Sequence, residues 1–179
     1  MDKAHHQHLE TAFLQLSFSI KLWHFLDEHP IDKDKFDVPL TLTEPGSIIC
    51  LAGGEFHEYQ DLQLAAGNNI SIVFGAVGIT LWEAIREYSG LRPDQLDPKA
   101  CYRENLAALS YMIRCCYAHG TAAPVWSIRN AKYRVTYRVG NKSIDLSTVQ
   151  NGQVFDYKSI GGAETLRLLK VEAERIGLV

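Results

Sequence analysis

YRENLAALSYMIRCCYAHGTAAP, residues 102–124, is the stretch on which the reading of this chain turns. Tyr102, Leu106, Leu109, Ile113 and Cys116 recur at the spacing of a helix that lays one face on a core. Nearly opposite run Arg103, Ala107, Ser110 and Arg114, a small polar face with a cation at each end. Gly120 is expected to supply a left-handed stop, and Pro124 to prevent a restart. His119 then stands at the helix exit. On an unbroken helix its offset from Arg114 is about 140° around the axis, so the two side chains converge only if the helix ends near Ala118.

That pairing has a chemical sense. An arginine keeps its charge and grips a phosphate with two parallel hydrogen bonds, and a histidine takes or gives a proton near neutrality. A base for the ribose 2′-OH, a cation for the charged phosphorus centre and an acid for the leaving oxygen suffice to cleave RNA without metal. The same residues also suit an ordinary helix end, where cations offset the macrodipole and bond the free carbonyls. Spacing alone leaves both readings open.

Working outward, the 179 residues suit one domain, with 46% hydrophobic and 22% charged residues in the globular range. The helical core is expected over about residues 5–120, with a hairpin and final helix over about 126–176. The N-terminal MDKAHHQHLE has no apolar signal core, and no apolar run is expected to reach the roughly 20 residues of a membrane span. Cys50, Cys101, Cys115 and Cys116 form neither a CxxC pair nor a disulfide framework. The expected compartment is the cytoplasm, with no membrane partner and no cofactor.

A net charge of −3 argues against indiscriminate coating of nucleic acid, but the charge is unevenly spread. Residues 1–100 carry 7 basic and 15 acidic groups, and residues 101–179 carry 11 and 6. Between residues 126 and 142 stand Arg129, Lys132, Arg134, Arg138 and Lys142, with no acid among them. They make either a phosphate-binding patch or a solvated strand face.

The remaining elements follow from periodicity. Leu9, Phe13, Leu16, Ile20 and Trp23 mark a first helix over residues 5–29, ended by His29-Pro30. Residues 31–54 read as an acidic loop with a short strand at 47–51. A short helix over 58–66 is expected to close at Gly67, and Asn68 or Asn69 to cap a second helix running to about Ser89. That second helix is apolar enough to be central. Gly75 and Gly78, which weaken it, imply a close backbone neighbour. Tyr133, Val135, Tyr137 and Val139 alternate with Lys132, Arg134, Thr136 and Arg138, a half-buried strand that turns at Gly140-Asn141 and returns over 143–146. A last helix spans 163–176. The fold class is therefore mainly α, an antiparallel helical bundle with a C-terminal β-hairpin and final helix.

Several metal or catalytic readings are weaker. His5, His6 and His8 lie near a polar terminus without a carboxylate or cysteine at ligand spacing. His24 with Asp27 and Glu28, and Glu83 with Arg86, read as wet helix faces. His57-Glu58 lacks the second histidine of a zinc-protease motif. No metal site is expected.

Taken together, residues 69–88 (NISIVFGAVGITLWEAIREY), residues 106–120 (LAALSYMIRCCYAHG) and Pro124-Val125-Trp126 resemble the HEPN superfamily, in which an R-x4-6-H motif ends a helix of a bundle. The resemblance covers about residues 65–130. It implies a homodimer whose two Arg/His pairs line a shared cleft, and a metal-independent endoribonuclease of toxin or antiviral-defence type. By this resemblance Arg114 stabilises the scissile phosphate, His119 transfers a proton, and Arg103 holds substrate backbone. Ala107 and Ser110 suit close packing on a second subunit, with Ser110 near substrate, and Arg129, Lys132, Arg134 and Arg138 are the candidate RNA-binding cations. A cognate antitoxin is an implied partner. The family usually places a polar residue, often asparagine, after the motif arginine; here it is Cys115, a poor hydrogen-bond donor. A non-catalytic module for dimerisation or for binding a partner protein or nucleotide is the alternative function.

Overall fold

In the computed structural model, residues 3–118 and 120–179 are described, the side chains of residues 3–6 and 44 aside. The fold is mainly α, with two short antiparallel hairpins, and a final helix follows the second of them. The chain order is α1 (Lys3–Glu28), α2 (Lys33–Phe36), β1 (Leu40–Glu44), β2 (Ser47–Leu51), α3 (Tyr59–Ser89), α4 (Tyr102–Tyr117), β3 (Thr136–Val139), β4 (Lys142–Asp145) and α5 (Gly162–Arg175). Two compact units divide these elements, residues 1–17 with 71–179, and residues 18–70.

The larger unit is built on α4. From Asn105 to Tyr117 only Tyr111 and Arg114 escape full burial. Leu106, Ala107, Ala108, Leu109 and Ile113 have no exposed surface, so α4 rather than α3 is the buried axis. The apolar stripe of α3 (Phe74, Val77, Leu81 and Ile85) is likewise fully buried. The close neighbours at its glycines are side chains, not backbone. A Cβ at Gly75 would stand 2.3 Å from the Tyr117 ring, and one at Gly78 would stand 2.8 Å from Ile113 Cγ2. Tyr117 itself lies among Phe74 and Phe155, with ring centroids 6.3 Å and 5.5 Å away.

On the α5 side, Lys170 bridges Glu10 at 2.7 Å and Glu174 at 3.0 Å, and its ammonium sits 5.8 Å from the centre of the Phe13 ring. Asn105 ties α4 to the second hairpin. Its side chain donates to the Pro98 carbonyl at 3.0 Å and accepts from the Arg138 amide at 2.9 Å. A buried amide whose donor and acceptor are both used costs little to bury and fixes the register of what it joins.

Four expectations are corrected. First, α3 does not break at Gly67. The Trp23 indole lies over that glycine, 3.5 Å from where a Cβ would stand, and Asn69 Nδ2 donates sideways to Ser19 Oγ at 2.9 Å instead of capping a new helix. Lateral contacts outweigh the local stop signals. Second, the expected strand over 132–139 is shorter. Residues Ala131–Tyr133 form a 3-10 turn capped by Asn130, whose side chain accepts from the Lys132 amide at 3.0 Å. Its buried and exposed residues still alternate as expected. Third, α4 ends without a left-handed glycine. Ala118 closes it in right-handed helical geometry, its N–H reaching the Cys115 carbonyl, and Gly120 is not among the positive-φ glycines. The Val125 N–H takes the Cys116 carbonyl at 3.2 Å and turns the chain away.

The fourth correction concerns hydropathy. Among the described residues one helix, α3, is long and apolar enough to cross a membrane by length and composition, with a mean hydropathy of 1.6 over its most apolar 18 residues. Of that window 39% is buried, and the buried residues of α3 include the stripe and the glycines that receive Tyr117 and Ile113.

Within residues 18–70, the end of α1 and the start of α3 run antiparallel. Tyr59 Oη donates to the Leu26 carbonyl, and Gln63 Nε2 reaches Asp27 Oδ1 at 3.4 Å. The loop expected over 31–54 contains α2 and a second strand, Leu40–Glu44, paired with Ser47–Leu51 in the register Leu42↔Ile49.

Candidate functional site

Arg114 occupies the last turn of α4, where its half-buried side chain complements the negative end of the helix. The chain then reverses, and residues 127–133 return beside that turn. Together they enclose a cavity of about 250 Å³ lined by Tyr111, Met112, Arg114, Cys115, Ala118, Ser127, Arg129, Asn130 and Tyr133. Two arginines therefore share one recess with phenol, hydroxyl and amide groups, and no carboxylate lines it. That donor set suits a phosphate or another compact anion.

The aromatic wall is continuous. Tyr111 lies between Trp82 and Tyr133, with ring centroids 5.1 Å and 5.6 Å away and the rings tilted by 54° and 52°. Burial pushes the Tyr111 phenol up to about 12, with Cys115 adding to the rise and the guanidinium groups of Arg114 and Arg129 pulling against it. Burial likewise lifts Tyr133 to about 12, and the neighbouring Tyr111, Cys115 and Asp94 contribute. The Tyr133 Oη donates to the Pro93 carbonyl at 2.6 Å. Near neutrality both phenols hold their protons, so they serve as donors and not as bases.

This has a measurable consequence at alkaline pH. Each phenol keeps its proton in the folded state above the ordinary value of 10.0, whereas the unfolded chain releases it. The stabilisation is whole below pH 10 and is lost as pH rises towards 12. Titration by phenolate absorbance is expected to show Tyr111→Phe and Tyr133→Phe each removing a late-ionising group, and unfolding midpoints falling over the same interval.

The other expected site residues scatter. His119, which follows Ala118 in sequence, lies outside the described residues. Arg103 is exposed in the first turn of α4, eleven residues before Arg114, or about 16 Å along the axis. Ser110 is a correction. Only 1% exposed, it is covered by the chain itself, as is Ala107, so of this face only Arg103 and Arg114 reach the surface. Lys132 is drawn off to the carbonyls of Asp94 at 3.1 Å and Pro93 at 3.4 Å. Arg134 is half-buried, its Nε without a hydrogen-bond partner. Arg138 lines a separate recess of about 420 Å³ at the start of α4, with Lys99, Cys101, Tyr102, Asn105 and Thr136. The cationic stretch is thus divided between the two ends of α4, and only Arg129 joins Arg114.

Cys115 and Cys116 differ sharply. The Cys116 Sγ donates to the Met112 carbonyl at 3.2 Å, and burial pushes its thiol well up. Cys115 instead lines the arginine recess. The exposed helix faces behave as read, with His24 only 3.5 Å from Glu28 on the surface of α1 and both Glu83 and Arg86 exposed on α3. Among the described residues no three His, Cys, Asp or Glu side chains gather as a metal site.

Sequence reasoning missed Tyr111, Ser127, Asn130 and Tyr133 as members of the recess. The one available signal was Asn130, whose turn-forming side chain sits between Arg129 and Lys132. No protein-family model, no curated protein and no solved structure matches the chain.

Proposed function

We propose that this chain is an RNA-directed protein of the HEPN type, a metal-independent endoribonuclease acting through Arg114 and His119. The observation that carries the reading is the recess in which Arg114 and Arg129 converge without a carboxylate. Arg114 holds the scissile phosphate and steadies its charge as the ribose 2′-oxygen attacks phosphorus. The bond to the 5′-oxygen breaks, that oxygen leaves with a proton, and a 2′,3′-cyclic phosphate remains. His119 moves a proton in this step. Arg129 binds a neighbouring phosphate oxygen, and the protonated Tyr111 phenol is available as a donor. On this reading the protein is a cytoplasmic homodimer, restrained by an antitoxin partner.

One observation favours binding without cleavage. Cys115 faces the recess where an amide would orient substrate better, since a thiol donates weakly. The deciding experiment is cleavage of a mixed-sequence single-stranded RNA in excess chelator by wild type and by His119→Ala. Cleavage by wild type alone, leaving cyclic phosphate ends, is the expected result. RNA bound but not cut by wild type would establish the binding module instead. Equal cleavage by both proteins would remove His119 from the mechanism.

A further inference from the structure

Exposed apolar side chains are concentrated in one part of the molecule. Of seventeen large hydrophobic residues exposed among the described ones, twelve fall within residues 18–70, under a third of the chain. A solvated surface scatters such residues singly; a contiguous set marks an interface. Three of the twelve, Leu22, Phe25 and Phe36, line a groove of about 440 Å³ between the end of α1 and the start of α3, closed by α2 and Phe56. Its walls are almost wholly apolar, from Leu22, Phe25, Leu26, Phe36, Phe56 and Leu62. Phe25 is 51% exposed and Phe36 57%, so the chain's own packing leaves both rings largely uncovered.

The charge around this groove identifies what covers it. Residues 18–70 contain nine carboxylates against Lys21, Lys33 and Lys35, a balance of −6. Two of the three cations are already spent locally, Lys33 on Asp34 at 2.7 Å and Lys35 on Asp32 at 3.2 Å. Some of these carboxylates neighbour the lining residues, by sequence or by hydrogen bond. Asp27 and Asp32 adjoin the lining residues Leu26 and Ile31, and Asp61 adjoins Leu62. Asp37 accepts from the Phe56 amide at 2.7 Å. Asp61 accepts from the amides of His57 and Glu58, which hold its carboxyl below the ordinary range and keep it charged.

From this apolar floor and the neighbouring carboxylates we infer that the groove between α1 and α3 is a docking site for a cationic amphipathic helix of a partner protein. Such a helix completes a three-helix packing. Large apolar side chains spaced i, i+4, i+7 enter between Leu22, Phe25 and Leu62, and lysines or arginines on its flanks meet those carboxylates. A second copy docking through the same face would set −6 against −6, and an anionic lipid surface would meet the same repulsion. The inference is independent of the ribonuclease reading, which concerns residues of the other unit.

The test uses the full-length chain and two labelled 18-residue peptides, one of leucine and lysine in amphipathic helical pattern, the other of leucine and glutamate. Fluorescence anisotropy is expected to show saturable 1:1 binding of the Leu/Lys peptide and none of the Leu/Glu peptide. Phe25→Ser and Phe36→Ser, both at exposed positions, are expected to weaken binding about tenfold or more each, while Val171→Ser on α5 leaves it unchanged. Circular dichroism checks that each variant retains the wild-type fold; Leu22→Ser replaces any that does not. Equal binding of both peptides, or binding indifferent to every groove substitution, would overturn the proposal. So would a wild-type dimer that Phe25→Ser converts to monomer in sedimentation, since the occupant would then be a second copy. Phe25-dependent flotation with phosphatidylcholine vesicles, without peptide binding, would assign the groove to lipid.

Discussion

Arg114→Ala is expected to lower RNA cleavage by on the order of 10²–10³-fold while leaving the fold in place, as measured by cleavage rate beside thermal unfolding. Loss of a single group that stabilises charge in a transition state has that scale. The structural cost is smaller. A half-exposed cation in the last turn of α4 offsets the helix dipole by about 0.3–1 kcal/mol, well within the stability of a domain this size. The two effects are therefore separable. Arg114→Lys keeps the charge but not the planar fork, and recovers only part of the rate. On the ribonuclease reading, Arg129→Ala, in the lining of the same recess, is expected to raise KM more than it lowers kcat, as loss of a contact kept through bond exchange does. If Arg114→Ala lost stability and kept its rate, the arginine would be a helix cap and nothing more.

Gly75→Ala is the substitution with the largest expected effect on stability. In a helix interior alanine gains about 1 kcal/mol over glycine, so α3 considered alone predicts a more stable protein. The added methyl, however, would stand 2.3 Å from the Tyr117 ring. That ring is held by Phe74 and Phe155 and cannot withdraw without disturbing both. Overpacking of this kind costs typically 1–3 kcal/mol, and a contact this short belongs at the upper end. The net loss is about 2 kcal/mol, or roughly 4–8 °C in Tm for a chain of this length. The cycle with Tyr117→Leu checks the cause: once the ring is gone, Gly75→Ala is expected to be neutral or stabilising.

The helices were legible where one face is buried. Leu9, Phe13 and Leu16 in α1, Phe74, Val77 and Leu81 in α3, and Leu166, Leu169 and Ala173 in α5 keep helical spacing because the core demands it. What failed depended on partners distant in sequence. Gly67 and Asn69 look like punctuation until Trp23 and Ser19 are placed beside them. In the first hairpin the strand over Ser47–Leu51 was legible, but its partner Leu40–Glu44 was not, since every residue of Ser47–Leu51 is exposed and burial imposes no alternation. At the site, residue type pointed to Arg114. Arg129 was legible as a candidate cation but not as its companion, and the phenols of Tyr111 and Tyr133 were hidden, because the return of residues 127–133 assembles the recess. The small residues Ala107 and Ser110 suit close packing, as read, and here they are buried in a helix against which β3 and α5 pack.

The ribbon of β1 and β2 carries a consequence of its own. Separating those strands uncovers no side chain of Ser47–Leu51 that water does not already reach. The heat capacity of unfolding and its denaturant slope both scale with newly exposed surface. Leu42 and Ile49, 42% and 40% exposed, therefore add less to either than a fully buried leucine of α4 does, and a calorimeter would register the ribbon as fewer residues than it has.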